Sequence, residues 1–337
     1  MIKFTGTRAE YGKFYAEIMQ KNGHEFYRQI NDETLRHQLK IYQKFYPEII
    51  IELENVAKTV GIPSEFMLYE GIAAAVDHWQ NRLRPRNHGC TIFAIHEGKN
   101  TFVGRNYDWI PAAREFYGVY RMSIGGAHNY FGFSDESVWY RHTGKHLRKP
   151  YFVDAVNEDG LYIGLTFSNI DAWGYGLLPP HFIRYIAEKC ATTRQALNVF
   201  AKIPGAIPKN FLIADAKGDI AVVEHAAKRY SVLRPNERGV LLHTNHCLAP
   251  ELLKYDCVRE RHPGTDTFLR YAEAEFLVNQ QLPGFQFTDL WRILRRSHYV
   301  YNDTTIWSLA LELGSKRFNI YHDTAMGQKQ QKFGFGD

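Results

Sequence analysis

Hydrophobic positions divide the chain into a helical first third and a strand-rich remainder. Apolar residues recur at helical spacing over 8–21, over 32–61 and from Pro63 to Trp79. Pro47 falls inside the second of these stretches and is expected to kink or split it. A short strand is predicted before them, from Ile2 to Thr7. The first third of the chain is therefore predicted to be mainly amphipathic helix.

The spacing of hydrophobic residues changes from helical to alternating at Cys90. Cys90 to His96 and Thr101 to Trp109 read as two strands joined by a turn at 97–100. Further strands are predicted at 117–124, 137–141, 151–156, 161–167, 210–214, 220–224, 230–233, 239–243, 305–313 and 317–321, and helices at 181–190, 193–203, 266–279 and 287–296. Runs of strands interleaved with helix pairs favour a layered α+β domain. The Gln- and Gly-rich residues after Gly327 are expected to be loose.

Composition and charge narrow the class of protein. With 337 residues, 45% of them hydrophobic, the chain can bury a large core. The net charge of +5 is dispersed, apart from the connector 82–86 and a cluster at 292–296, so nucleic-acid binding is not expected. Neither a membrane span nor a signal segment is apparent, and four cysteines do not form a disulfide framework. These features predict a cytoplasmic protein that does not bind membranes.

Gly89 and Cys90 form a candidate self-cleavage site where the period changes. The Cys90 thiol can attack the Gly89 carbonyl and move the acyl chain from nitrogen to sulfur; water then releases Cys90 as a new N-terminus. Glycine tolerates the strained backbone that this attack requires. The freed α-amine, with a reference pKa of roughly 7.7–8.0, can act as base towards its own thiol. The alternative is that Cys90 is a small buried hydrophobic residue at the start of a strand.

Two alternatives to self-cleavage stay open. His243 could be the base of an uncleaved Cys90 thiol hydrolase, or the protein could be a binding protein that retains the fold without catalysis. His243, His246 and Cys247 also invite a zinc site, but their spacing fits neither C-x-x-C nor H-E-x-x-H. No metal is therefore predicted. The glycines form no nucleotide-binding fingerprint, and no cofactor is predicted.

Several motifs together resemble a known family. They are Gly89-Cys90-Thr91, 104–109, His243-Thr244-Asn245-His246-Cys247, Arg270 and 303–308. These residues resemble the autoproteolytic acyltransferases typified by penicillin acyltransferase, most specifically at 89–109 and 243–247, where residue types and order both match. That family lies within the N-terminal-nucleophile hydrolases, which include penicillin V acylase and bile-salt hydrolase. The resemblance spans nearly the whole chain, and it implies a four-layer αββα sandwich of the N-terminal-nucleophile hydrolase type.

The resemblance assigns roles to five catalytic positions. Cys90 would be the nucleophile, Asp108 would orient its α-amine, and Asn245 would donate its side-chain amide to the oxyanion. Arg105 and Arg270 match two site arginines of the hydrolase branch, although penicillin acyltransferase itself has glutamine where Arg105 stands. This mixture of features leaves open whether water or an amine takes the acyl group.

Three further positions are implied to bind substrate or the oxyanion, namely Thr166, Asn106 and Tyr107. Thr166 stands where the hydrolase branch has an asparagine, so its contribution would come through its backbone N–H. Ordinary structural roles stay open for the catalytic positions as well: a solvated strand-end acid at Asp108, a turn at Asn245, and a helix-surface charge for the arginine in the helix 266–279.

The implied organisation is one structural domain made as a precursor. Residues 1–89 would form a helical pro-segment, or small subunit, that stays bound because its apolar faces have nowhere else to bury. Residues 90–337 would form the catalytic αββα body. The expected partners are a small-molecule amide or acyl donor and the two cleavage fragments themselves; a homo-oligomer stays open.

Overall fold

The computed structural model describes residues 1–337 except 22, 24, 27, 28, 81–88, 110, 140–145, 149, 150, 258–265, 325, 326, 336 and 337. The basic connector 82–86 and the last two residues of the predicted strand 137–141 therefore lie outside the described residues.

The N-terminal third contains one strand and a series of helices, as predicted. Asn31 caps the second helix by accepting hydrogen bonds from the N–H groups of Glu33 and Thr34, each at 3.2 Å. Pro47 occupies the first turn of the next helix and splits the predicted 32–61 stretch in two. The elements are β1 (Ile2–Gly6), α1 (Arg8–Lys21), α2 (Asp32–Phe45), α3 (Pro47–Val60), α4 (Ser64–Leu68), a π-helical turn (Tyr69–Ala73) and α5 (Ala74–Gln80).

Strands dominate after Cys90, and most lie within two residues of their predicted bounds. They are β2 (Cys90–Glu97), β3 (Asn100–Asp108), β4 (Tyr117–Ile124), β5 (Tyr130–Asp135), β6 (Ser137–Trp139), β7 (His146–Arg148), β8 (Phe152–Asn157), β9 (Tyr162–Phe167), β10 (Lys209–Ala214), β11 (Ile220–Ala226), β12 (Arg229–Leu233), β13 (Val240–His243), β14 (Thr305–Glu312), β15 (Arg317–Thr324) and β16 (Gly327–Gly334). Among the described residues, the helices of this part are α6 (Pro179–Lys189), α7 (Thr193–Lys202), α8 (Pro250–Leu253), α9 (Thr267–Gln280) and α10 (Phe287–Arg296), with a 3-10 turn at Pro111–Glu115. Strands β5, β7 and β16 have no counterpart among the predicted strands.

Two sheets form the inner layers of the domain. The larger has eight strands in the order β1-β4-β5-β8-β9-β10-β11-β12, and the smaller has six in the order β13-β2-β3-β14-β15-β16. Helices α6 and α7 pack on the outer face of the larger sheet, and α9 and α10 pack on the outer face of the smaller. The predicted α+β fold with four αββα layers is thereby confirmed.

The N-terminal segment is part of the larger sheet as well as a helical layer. Strand β1 pairs in parallel with β4, and Phe4 lies opposite Met122. Residues on both sides of position 89 thus contribute to one sheet and one core.

The expectation that the C-terminal residues are loose is wrong for residues 327–334. These residues form the edge strand β16, which pairs with β15 in antiparallel register. Backbone hydrogen bonds of an edge strand do not depend on side-chain type, so Gln and Lys are tolerated there. Phe333 anchors the strand, with its ring centre 6.0 Å from those of Phe131 and Phe318.

Among the described residues, the helices are too short or too polar to cross a membrane.

Candidate active site

Cys90 opens strand β2 and faces the core between the two sheets. Its Cα partner on β3 is Tyr107, and the residue is only 3% exposed. Strand alternation places Cys90 and Ile92 in the core shared by both sheets, whereas Phe93 packs under the helices of the smaller sheet. The thiol therefore lies at the first position of the inter-sheet layer.

The peptide bond between Gly89 and Cys90 is held at both of its polar groups. The N–H of Asp108 donates to the Gly89 carbonyl at 3.1 Å, and the N–H of Cys90 donates to Asn245 Oδ1 at 2.9 Å. The next carbonyl, that of Cys90, accepts a hydrogen bond from Arg270 Nη1. These contacts fix the orientation of the Gly89–Cys90 bond, whose cleavage stays a prediction.

Arg105 places a buried guanidinium against the thiol. It interacts electrostatically with the Cys90 side chain, and its Nη2 donates to the Leu165 carbonyl at 2.7 Å. Burial by itself lowers the pKa of Arg105, but attraction to a Cys90 thiolate and to Asp154 outweighs burial and raises that pKa. A permanent positive charge thus lies beside the sulfur.

Asp154 holds Arg105 in place, and it is not among the site residues predicted from the sequence. Its Oδ1 lies 3.4 Å from Arg105 Nε and accepts a hydrogen bond from the Tyr162 hydroxyl. Burial raises the pKa of Asp154 to about 6, although Arg105 and Tyr162 both favour its charged form. The signal available in the sequence is an aspartate within an otherwise apolar strand, which calls for a buried partner.

Asp108 is a buried acid next to the Gly89–Cys90 bond. It is 1% exposed, so the alternative of a solvated strand-end acid is wrong. Its Oδ1 accepts a hydrogen bond from Thr305 Oγ1 at 2.8 Å, whereas Oδ2 has no hydrogen-bond partner among the described residues. Burial raises the pKa of Asp108, and the nearby Arg270 partly offsets that rise. Among the described residues, Asp108 Oδ2 is therefore an unfilled buried acceptor.

Asn245 bridges Cys90 to the larger sheet. Its Oδ1 accepts hydrogen bonds from the N–H of Cys90 and from Arg270 Nη2, the latter at 2.8 Å. Its Nδ2 donates to the Phe167 carbonyl at 3.0 Å, and its backbone N–H donates to Thr267 Oγ1 at 3.0 Å. The side chain therefore does more than complete a turn.

Glu224 fixes the loop that carries Asn245. Its carboxylate accepts hydrogen bonds from the N–H groups of Leu248 at 2.6 Å and Ala249 at 3.1 Å. It also pairs with His243 Nε2 at 2.9 Å. Although burial would raise the pKa of Glu224, the hydrogen bond and charge of His243 lower it.

Arg270 is part of the site and not a helix-surface charge, since it is 1% exposed. Its Nε pairs with Asp266 at 2.9 Å, and its Nη1 lies 3.3 Å from Thr91 Oγ1. Helix α9 thus directs a guanidinium across the start of β2, where it contacts both Asn245 and the Cys90 carbonyl.

The three predicted substrate- or oxyanion-binding residues occupy different places. Tyr107 lies directly opposite Cys90 in register, and its hydroxyl donates to Asp135 Oδ2 at 2.7 Å. Thr166 is buried in β9, where its Oγ1 accepts a hydrogen bond from Asn210 Nδ2 at 3.2 Å. Contact of either residue with a substrate stays a prediction.

Asn106 lies on the opposite face of β3 from Arg105 and Tyr107. Its Nδ2 donates to the carbonyls of Leu294 at 2.9 Å and Val300 at 2.8 Å. The side chain therefore ties the end of α10 to the smaller sheet, and its assignment to substrate binding stays a prediction.

The histidine-base alternative lacks support in the geometry. His243 Nε2 pairs with Glu224, and its Nδ1 lies 3.0 Å from the Thr244 carbonyl, so both ring nitrogens are engaged away from Cys90. His246 Nδ1 lies within hydrogen-bonding distance of Thr244 and Thr267 hydroxyls. In the described part of the chain, no group of three or more His, Cys, Asp or Glu side chains could hold a metal ion.

Lys209 is another buried ionisable side chain that interacts electrostatically with Cys90. It too is not among the site residues predicted from the sequence. Burial lowers the pKa of Lys209 to about 7, while attraction to a Cys90 thiolate opposes that change. No motif surrounds it in the sequence, so its position becomes apparent only once the sheets are assembled.

Comparisons with known structures agree with this architecture. The chain is similar to a mutant of conjugated bile acid hydrolase from Clostridium perfringens, with 13% identity, a TM-score of 0.52, and coverage of 73% of this chain and 92% of that one. It is also similar to penicillin V acylase from Agrobacterium tumefaciens, with 17% identity, a TM-score of 0.52, and coverage of 74% and 86%. At these identities the likeness establishes a shared fold. None of the curated proteins matches the chain.

A family model identifies the chain's relatives more specifically. The model of acyl-coenzyme A:6-aminopenicillanic acid acyl-transferase matches residues 95–323, which is more than half of the chain. The matched range begins after Cys90 and includes Arg105, Asp108, Asn245 and Arg270. The chain therefore belongs to the acyl-coenzyme A:6-aminopenicillanic acid acyl-transferase family.

Proposed function

We propose that this protein is a self-processing N-terminal-cysteine enzyme that cleaves or transfers acyl groups at linear amide bonds. The observation that carries the proposal is the hold on the Gly89–Cys90 peptide bond. Its carbonyl accepts from the Asp108 N–H, its N–H donates to Asn245, and the buried Arg105 interacts electrostatically with the adjacent thiol. A bond positioned in this way, next to a nucleophile, is preorganised for attack.

The self-cleavage step proceeds through an acyl shift. The Cys90 sulfur gives up its proton and bonds to the Gly89 carbonyl carbon; the C–N bond breaks, and the Cys90 nitrogen takes up a proton. The Asp108 N–H, 3.1 Å from the Gly89 oxygen, stabilises the oxyanion that forms on the way. Water then hydrolyses the thioester and leaves a Gly89 carboxylate, a Cys90 thiol and a free α-amine.

The new α-amine supplies the base that the intact chain lacks. An amide nitrogen cannot accept the thiol proton, whereas an amine with a pKa of roughly 7.7–8.0 can. Asp108 is the proposed carboxylate that holds the ammonium form, and its Oδ2 lacks a hydrogen-bond partner among the described residues. Asn245 Nδ2 is the proposed side-chain donor to a substrate oxyanion, for which a substrate oxygen would compete with the Phe167 carbonyl.

Turnover of a substrate repeats the same chemistry between molecules. The Cys90 thiolate attacks the amide carbonyl, the amine departs with a proton from the α-ammonium, and the acyl group remains on sulfur as a thioester. Water completes a hydrolysis, and a second amine completes an acyl transfer. The family takes its name from an acyl transfer, whereas the two structures compared above are called a hydrolase and an acylase.

Residues 1–89 are proposed to remain bound after cleavage as a small subunit. Strand β1 lies in the larger sheet beside β4, and the helices that follow share one core with residues 90–337. Release would expose this core to water, which the hydrophobic effect opposes.

The purified wild-type protein is expected to consist of two fragments, residues 1–89 and 90–337, that elute together. Intact mass under denaturing conditions would show both fragments, and N-terminal sequencing would read Cys-Thr-Ile for the larger one. A panel of acyl amides with chromophoric amines then measures turnover. A chain that stays whole and still cleaves amides would contradict the α-amine as base.

Gly89→Ala is expected to slow self-cleavage. A Cβ at this position would lie 2.8 Å from Arg270 Nη2, and this guanidinium is pinned by Asp266 and Asn245. The added methyl must displace it, which misplaces the bond and costs on the order of 100-fold in rate. Cleavage is followed by mass spectrometry after synthesis in a cell-free system.

Gly314→Ala is the matched control, because the nearest atom to a Cβ there is the Lys99 carbonyl oxygen at 3.9 Å. It should process at the wild-type rate. Equal rates for Gly89→Ala and wild type would mean that Arg270 does not position the bond.

A further inference from the structure

Lys209 is a buried cation at the start of β10. It is 8% exposed, and no carboxylate among the described residues forms an ion pair with it. Buried lysines ordinarily have an acidic partner, because an isolated ammonium is costly to remove from water.

Two aromatic rings flank the ammonium instead. Lys209 Nζ lies 4.2 Å from the centre of the Phe167 ring and 5.5 Å from the ring of Trp79. Cation–π contacts of this kind stabilise an ammonium only weakly and do not offset the cost of removing it from water. The protein alone therefore only partly compensates the charged form of Lys209, in agreement with the lowering of its pKa to about 7 by burial.

The position of this cation ties it to the reacting bond. The Phe167 carbonyl accepts a hydrogen bond from Asn245 Nδ2, and Asn245 Oδ1 in turn accepts from the N–H of Cys90. The ammonium also interacts electrostatically with Cys90. His225, its Cα partner on β11, has its pKa lowered to about 4 by burial and is therefore neutral near pH 7.

We propose that Lys209 forms a subsite for a carboxylate of the substrate, so that the protein prefers acyl amides that carry a negative charge near the scissile bond. This inference rests on the proposed amide-cleaving function and names its substrate class. A carboxylate would supply the missing counter-charge, and the rings of Phe167 and Trp79 would shield the pair from water. The carboxylate can belong to the leaving amine, as in an N-acyl amino acid, or to the acyl chain.

Matched substrate pairs test the proposal with the processed protein. One pair is an N-acylglycine and the matching N-acylglycinamide. The other pair is the mono-anilide of a dicarboxylic acid and the same anilide with its free carboxyl group converted to a primary amide. The acid of at least one pair should have a kcat/KM about 10-fold or more above its neutral partner, the effect of one desolvated charge pair. The pair that shows this ratio identifies where the carboxylate lies.

The ratio of kcat/KM between acid and neutral substrate should fall towards 1 in Lys209→Met, mainly through a higher KM for the acid. Lys209→Arg keeps the charge and should retain most of the ratio. Lys209→Gln gives a second neutral variant if the methionine variant does not fold, as judged by circular dichroism. An unchanged ratio in the neutral variants, or a wild-type ratio near 1 for both pairs, would overturn the proposal.

Binding by calorimetry separates this proposal from the amide-cleaving function. If the wild type cleaves none of the four compounds, the proposed function fails, but the acids should still bind about 10-fold more tightly than their neutral partners. Equal binding of acid and neutral compounds would sink the carboxylate subsite whether or not cleavage occurs.

Discussion

Cys90→Ala is expected to leave the chain at its full length of 337 residues and to lower amide turnover to the background rate. Loss of a covalent nucleophile typically costs about 10⁴-fold or more in kcat. Removal of the one sulfur atom should abolish both self-cleavage and amide turnover, because this sulfur is proposed to attack both the Gly89 carbonyl and the substrate. Mass spectrometry checks the first loss and the acyl-amide assay checks the second.

Cys90→Ser separates the two steps. A hydroxyl can still attack the Gly89 carbonyl through an ester, so slow processing is expected, but its higher pKa makes it a weaker nucleophile towards substrate. Processing without turnover in Cys90→Ser, beside loss of both in Cys90→Ala, would support the same atom in both roles. Amide cleavage that persists in Cys90→Ala would instead favour a protein whose chemistry lies elsewhere.

Cys190→Ala is the matched control for thiol removal. Cys190 is also buried, but burial alone raises its pKa to about 12, and its carbonyl accepts a hydrogen bond from Asn157 Nδ2, a contact that alanine keeps. The variant should be processed and should turn over substrate like the wild type. Because both substitutions remove one buried sulfur, a difference between them reflects position and not packing.

The sequence predicted best those features that depend on local periodicity and on short motifs. The change from helical to alternating period at Cys90 located the start of β2, and Pro47 separated α2 from α3, since its ring blocks a continuous helix. In the fold, the Asp108 N–H contacts Gly89 and Asn245 contacts Cys90. Their catalytic roles stay predictions.

Features that depend on distant partners could not be predicted from the sequence. Lys209 has ordinary surroundings in the sequence, and its significance depends on Trp79, which lies 130 positions away in the numbering. Asp154 becomes a positioning residue only because β3 brings Arg105 against it. Periodicity assigns polar residues of amphipathic helices to solvent by default, so it also misses buried ion pairs such as those of Arg8 and Arg184.

Arg184→Met is expected to destabilise the protein by about 3–5 kcal/mol, because it leaves an uncompensated charge in a buried ion network. Arg184 pairs with Glu52 at 2.7 Å and with Glu188 at 3.0 Å, and Arg8 pairs with the same two acids at 2.9 and 2.7 Å. Two cations thus balance two anions. Burial would raise the pKa of Glu188, but the two arginines lower it.

The network joins the two proposed fragments. Arg8 and Glu52 belong to residues 1–89, whereas Arg184 and Glu188 belong to residues 90–337. Since a carboxylate with a lowered pKa stabilises the folded state above its ordinary pKa, this contribution should disappear as the pH falls through the lowered pKa of Glu188. Acid should therefore separate the fragments, and Arg184→Met should make them separate at a higher pH or a lower denaturant concentration.

Urea unfolding followed by circular dichroism measures the loss, and size-exclusion chromatography at graded pH measures fragment separation. Asp219→Asn is the control, because Asp219 pairs with Arg234 on the surface and such pairs contribute about 0–1 kcal/mol.

In the double variant Glu52→Gln with Arg184→Met, one charge of each sign is removed. The double variant should therefore lose less stability than the sum of the two single variants. Additive losses would mean that Arg184 and Glu52 act independently, and that the network does not hold the small subunit.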